Sequence, residues 1–163
     1  MFSLPLLNSD DIASMDGALG DFVSASGARL ALFIDEGGFV VTRQGSEAEI
    51  DTATLGALAA NSFAATQAIA RVIGDQDHSV TCLYQEGKEN SLLILSVEGF
   101  GFAAVVFPAE IGVGSVKFYG ENLVAQLGGR LTAARERTPG EGLDLSSLNI
   151  EDATPLFRRR AAP

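Results

Sequence analysis

Between Asp51 and Arg71 the chain carries no charged side chain, yet the stretch is too alanine-rich and too regularly spaced to be a loop. It opens on Asp51 and Thr52, both good helix caps, and stops at Gly74. A helix over about Thr52 to Ile73 places Leu55, Leu58, Ala59, Ser62, Thr66, Ile69 and Ile73 on one face. That face is expected to lie on a sheet. Opposite it fall Ala53, Ala57, Ala60, Asn61, Ala64, Ala68 and Arg71, where an ordinary solvated helix would carry Lys and Glu. Two readings stand. Alanine is there for helix propensity alone, or its small side chains let another backbone come close, which makes the face a protein–protein surface. A standard interface buries roughly 1,600 Å² in total, so neighbouring strand edges or the partner's side chains would have to contribute. Asn61, Ser62, Gln67 and three threonines make the stretch too polar for a membrane span.

The 163 residues suffice for one domain with a full core. With 47% hydrophobic and 20% charged residues the composition is that of a folded globular chain. A net charge of −10 argues against nucleic acid, whose phosphates need a basic footprint, and against an anionic membrane surface. The single cysteine, Cys82, has no internal partner and fits a reducing compartment. The opening Met1-Phe-Ser-Leu-Pro lacks the charged and apolar regions of a secretory signal. A soluble, cytoplasmic protein without membrane insertion is expected.

The other elements follow from spacing and punctuation. Asn8 and Ser9 cap a first helix with Asp10 and Asp11 in its first turn, Ile12, Met15, Leu19, Phe22 and Val23 at helical spacing, and Gly27 as the stop. A hairpin runs through Ala28 to Asp35, turns at Gly37-Gly38 and returns through Phe39-Val40-Val41. Three strands are predicted at Val80–Tyr84, Ser91–Val97 and Phe102–Phe107, the last ended by Pro108. A final helix over about Val113 to Arg137 puts Val113, Val116, Leu123, Leu127 and Leu131 on one side, although Gly120, Gly128 and Gly129 lower its propensity. Pro139-Gly140-Glu141-Gly142 reads as a linker, which divides the chain into a domain at 1–137 and a flexible tail at 138–163. The order is helix, two strands, helix, three strands, helix: an α+β layer structure with one antiparallel sheet.

No catalytic constellation stands out. His78 is the only histidine and Cys82 the only cysteine, so a closed zinc site cannot be assembled from them; Cys82 alternates with Val80 and Tyr84 and reads as a buried strand thiol. Gly99-Phe-Gly101 lies between two strands rather than opening a helix, and Gly112-Val-Gly114 precedes a helix without the strand and acidic residue of a dinucleotide site. No phosphate loop with Gly-Lys-Ser/Thr is present, so the chain is not itself a GTPase. Glu86, Glu89, Glu98 and Glu110 read as solvated turn carboxylates. Neither cofactor nor metal is expected.

Three segments carry a resemblance. Ile50-Asp51-Thr52-Ala53-Thr54-Leu55 leads into Leu58-Ala-Ala-Asn61-Ser-Phe-Ala-Ala65 and Ile69-Ala-Arg-Val-Ile-Gly74; Tyr84-Gln-Glu-Gly87 precedes Ser91-Leu92; Val105-Val106-Phe107 precedes a Gly-initiated last helix. From about Ala31 to Leu127 the chain resembles the Roadblock family and, within it, the bacterial MglB-type regulators that pair with MglA-type GTPases. Gln85 stands where the family usually has histidine. The resemblance implies an αββαβββα fold with a five-stranded antiparallel sheet and helices on both faces. It implies a homodimer in which the middle helices pack side by side and the central strands join. It also implies a non-enzymatic regulator that accelerates hydrolysis by a Ras-like small GTPase by favouring an aligned conformation, without inserting a catalytic arginine. Carried onto this chain, the partner contact would be Ala57, Ala60, Asn61, Ala64, Ala68 and Arg71, with Leu156 and Phe157 of the tail as a second contact. Arg158, Arg159 and Arg160 depart from the family's more acidic tail.

A Roadblock scaffold that leaves the nucleotide cycle untouched fits the uncharged helix face equally well. A ligand-binding sensor domain of the PAS kind would share a five-stranded sheet but would need an internal cavity.

Overall fold

A computed structural model describes residues 4–46, 48–76 and 80–137. Helix α1 spans Ser9–Ser26, and its start is fixed by a reciprocal capping box. Asn8 Oδ1 accepts from the Asp11 N–H at 2.9 Å, while the Asp11 carboxylate accepts from the Asn8 N–H at 3.0 Å. Gly27, left-handed at φ 73°, ends it. Strands β1 (Leu30–Asp35) and β2 (Val40–Gly45) form the hairpin, helix α2 (Thr52–Val72) follows, then β3 (Cys82–Gln85), β4 (Asn90–Val97), β5 (Gly101–Pro108) and helix α3 (Val113–Arg137).

The strands make one antiparallel sheet in the order β2-β1-β5-β4-β3, so the expected architecture is present. β2 runs further than Phe39-Val40-Val41 suggested, and β3 is shorter, beginning at Cys82 rather than Val80. β3 therefore covers only half of β4: its ladder reaches Cys82 opposite Leu95, and the last contact is the Ser96 N–H donating to the Thr81 carbonyl at 2.9 Å. Gly99-Phe100-Gly101 turns β4 into β5, as a turn between strands must.

Alternation along the strands sends side chains to two separate cores. On one face Ala31, Phe33, Leu93, Val105 and Phe107 meet α1 and α3 through Met15, Leu19, Phe22, Val116, Leu123, Leu127 and Leu131. On the other, Leu30, Leu32, Ile34, Ile94, Ala104 and Val106 meet α2. α3 comes close because of Gly120, where a Cβ would lie 2.5 Å from Leu95 Cδ1; a residue that weakens the helix locally is what lets it seat on β4. α1 and α3 run antiparallel and are tied at their far ends. The buried Asp11 carboxylate pairs with Arg137 and lies 3.3 Å from Arg130 Nε, and Arg130 also donates to the Asp10 carbonyl at 3.1 Å. The Arg137 guanidinium, then the Asn8 N–H, hold the Asp11 carboxyl below the ordinary carboxylate range against the opposing effect of burial; the charges of Arg137 and Arg130 add to the lowering.

Candidate functional site

The site is built on α2, and how the helix sits on the sheet decides what it offers. Its start is held by Asp51, whose carboxylate accepts from the Thr54 N–H at 3.1 Å and the Thr54 hydroxyl at 2.6 Å. That hydroxyl first, then the Thr54 and Ala53 N–H groups, keep the Asp51 carboxyl below its usual range. A carboxylate there also suits the positive end of the helix. The close contact lies one turn further on. A Cβ at Gly56 would stand 2.7 Å from the Gly38 carbonyl oxygen, and one at Gly38, whose φ is 85°, would stand 2.8 Å from Ala57 Cα. Two glycines thus let the β1–β2 turn and α2 touch backbone to backbone. Ala59, Ala60 and Ala70 continue the seam, and Phe63 is the one large side chain driven into the sheet, its ring centroid 4.6 Å from that of Phe102.

This seating corrects the expected rotation of the helix. The face holding Leu58, Ser62, Ile69 and Ile73 does not lie on the sheet. Leu58 is 59% exposed, Ile69 60%, Val72 86% and Ile73 73%. Of the supposed sheet-facing set, Ala59 is buried and Leu55 and Thr66 are half-buried. The physical reason is spacing: a helix pulled in to glycine-contact distance has room for Gly and Ala beneath it, so the larger aliphatic side chains turn outward.

Of the residues expected at a partner contact, Ala57, Asn61, Ala64, Ala68 and Arg71 are exposed, together on the open side of α2. Ala60 is corrected: it is 7% exposed and belongs to the sheet-facing seam. Leu156 and Phe157 lie outside the described residues, as does His78. Leu58, Ile69, Val72 and Ile73 were missed as contact candidates because their hydrophobicity assigned them to the core. The polar groups on the open face turn inward on the helix itself. Asn61 Nδ2 donates to the Ala57 carbonyl at 2.9 Å and the Thr66 hydroxyl to the Ser62 carbonyl at 2.9 Å, so the face is drier than its composition suggests. It has two flanks about a third of a turn apart, one of small residues (Ala53, Ala57, Ala64) and one of large aliphatic ones (Leu58, Ile69, Ile73).

Beside the small flank an open groove of about 930 Å³ wraps the end of the sheet where β3 stops short. Ala64 and Gln67 border it on the α2 side, Val97 and Glu98 at the end of β4, and Lys117 and Glu121 on α3. Cys82 lines it as a half-buried thiol rather than a fully buried one. Glu86, Glu89, Glu98 and Glu110 are all exposed. Among the described residues no three His, Cys, Asp or Glu side chains gather to hold a metal, and no helix is long and apolar enough to cross a membrane.

The family model described as "Roadblock/LC7 domain" matches residues 16–107, more than half of the chain. No curated protein matches it. Among solved structures, MglB of Myxococcus xanthus superposes with a TM-score of 0.72 at 19% identity, covering 79% of this chain and 96% of that one. The gliding protein MglB of Thermus thermophilus gives 0.71 at 25% identity, covering 80% and 96%. An MglB solved in a tetrameric arrangement gives 0.72 at 25% identity with the same coverage.

Proposed function

The chain belongs to the Roadblock/LC7 family, and from that premise we propose that it is a homodimeric regulator of a Ras-like, MglA-type small GTPase in the cytoplasm, accelerating GTP hydrolysis without an active site of its own. The observation that carries this reading is the open face of α2. Leu58, Ile69, Val72 and Ile73 form an apolar row on an isolated chain, continuous with Ala57, Asn61, Ala64 and Ala68 and free of charge up to Arg71. A contiguous surface of that kind calls for cover. The aliphatic flank suits permanent pairing with a second copy, since obligate interfaces are the more hydrophobic ones. The small, flat flank suits a partner that comes and goes.

A surface without an inserting side chain accelerates a reaction only by binding one conformation of its partner better than the others. Arg71 is exposed at the end of α2, and in this reading it is a rim contact rather than an arginine that enters the GTPase site. Leu156 and Phe157 supply a second contact. Single-turnover GTP hydrolysis by the host's Ras-like GTPase, with and without this protein, tests the proposal. Acceleration should be lost in Ala64→Arg and largely kept in Arg71→Ala. A fall of about a thousandfold or more in Arg71→Ala would instead mark an arginine finger. Stable binding with no acceleration would favour the scaffold reading, which the same apolar face supports.

A further inference from the structure

We propose that the chain's own C-terminal segment, residues 138–163, docks in the groove at the end of the sheet and brings Leu156-Phe157 against the Ala64 flank of α2. The clause about α2 rests on the reading of that helix as the partner face; the docking itself does not.

The groove exists because β3 is four residues long and β4 eight, so Val97 and Glu98 have no strand beside them on that edge. It is the passage around the sheet edge from the α3 side to the α2 side. The segment begins at that passage. Arg135, two residues before the last helical position, lines the groove, with its guanidinium donating to the Gly99 carbonyl at 2.8 Å and lying 4.0 Å over the Phe100 ring. From Arg137 to Arg158 the chain can span at most about 70 Å, against roughly 35 Å across a domain of this size, so reach is no obstacle.

Charge follows the same route. The segment opens acidic, with Glu141 and Asp144, and closes on Arg158-Arg159-Arg160. The groove carries its positive groups, Lys117 and Arg135, on α3, where the segment starts. Exposed carboxylates stand at Glu98, on the β4–β5 turn, and at Glu36, on the β1–β2 turn near the start of α2. An aromatic and an aliphatic side chain followed by three arginines match an apolar groove with an acidic far rim. The arginine triplet, out of place in an acidic family tail, thereby acquires a counterpart. Docked there, Leu156-Phe157 is held in reserve beside the surface it would otherwise help a partner to find.

Cys82 is a native reporter, being the only cysteine of the chain and lining the groove. The experiment follows its reaction with a thiol-specific disulfide reagent in the full-length protein, at several protein concentrations and with oligomeric state checked by light scattering. Wild type should react at least tenfold more slowly than Arg158→Glu/Arg159→Glu/Arg160→Glu, and than Leu156→Ala/Phe157→Ala. Adding Glu36→Lys and Glu98→Lys to the triple variant should restore the slow rate. Equal rates, within twofold, in wild type and both tail variants would overturn the proposal. So would protection that grows with protein concentration, which would assign the groove to another copy's segment. Failure of the reversed groove to restore protection would remove the charge pairing and overturn it too. No GTPase enters the assay, so its outcome is independent of whether one is regulated.

Discussion

On one side of the sheet Met15, Leu19 and Phe22 of α1 interlock with Val116, Leu123, Leu127 and Leu131 of α3, and the layer is sealed. On the other, a single helix rests on Gly56, Ala59, Ala60 and Phe63 and shows Leu58, Ile69, Val72 and Ile73 to the outside. Both sides obey the same helical period with opposite assignments of bulk. Two helices sharing a face can bury large side chains between them and the sheet. One helix drawn in by the Gly38–Gly56 contact cannot, and its bulk is left for a second protein. The difference teaches that stability is concentrated in the α1–α3 layer and association in α2.

The sharpest test of that division compares two leucines. Leu127→Ala should cost about 3 kcal/mol in urea unfolding through lost burial and the cavity left behind. Leu58→Ala should change the stability of the isolated chain by at most about 0.5 kcal/mol, yet remove any dependence of the melting temperature on protein concentration. Equal costs would dissolve the comparison. A smaller effect, of about 2 kcal/mol, is expected from Gly56→Ala, which forces α2 off the β1–β2 turn. In an unconstrained helix the same change would stabilise by up to about 1 kcal/mol, so the sign of the shift in denaturation midpoint reports whether the contact is as tight as described. The third test concerns acid. Asp11 has a folded-state pKa below its unfolded one. Its contribution is therefore fully present above the ordinary carboxylate range, about 3.9, and is lost as pH falls through the depressed value. The unfolding midpoint of wild type should drop more steeply below pH 4 than that of Asp11→Asn. Parallel curves would mean that the link between α1 and α3 contributes nothing to the sealed side.

Much of the fold was readable from the chain because its boundaries rest on local chemistry. Asn8 caps α1 and Asp51 caps α2, Gly27 stops α1, and α3 runs from Val113 to Arg137 as its spacing predicts. The rotation of α2 was not readable. Periodicity finds a helix with two apolar sides but does not say which one faces inward when both exist. The deciding fact is the approach of Gly38 to Gly56, well separated in sequence and joined only in space. The same blindness placed Ala60 on the open face and left Leu58 and Ile69 out of it. The short β3 was overestimated because Val80 and Thr81 have strand-like side chains; what ends the strand is where its ladder with β4 begins, at Cys82 opposite Leu95. The groove that this shortfall opens has no signature in sequence at all.

The pairing of Asp11 with Arg137 brings the first turn of α1 and the last turn of α3 to the same spot. In connectivity the domain is thus close to a ring that happens to be cut between these two helices. A short bridge across that cut, with new ends opened at the exposed Glu86–Glu89 turn, would preserve every packed layer while reordering the chain. The linear order of the elements is then a matter of where the chain was opened, and the arrangement of layers is what the residues encode.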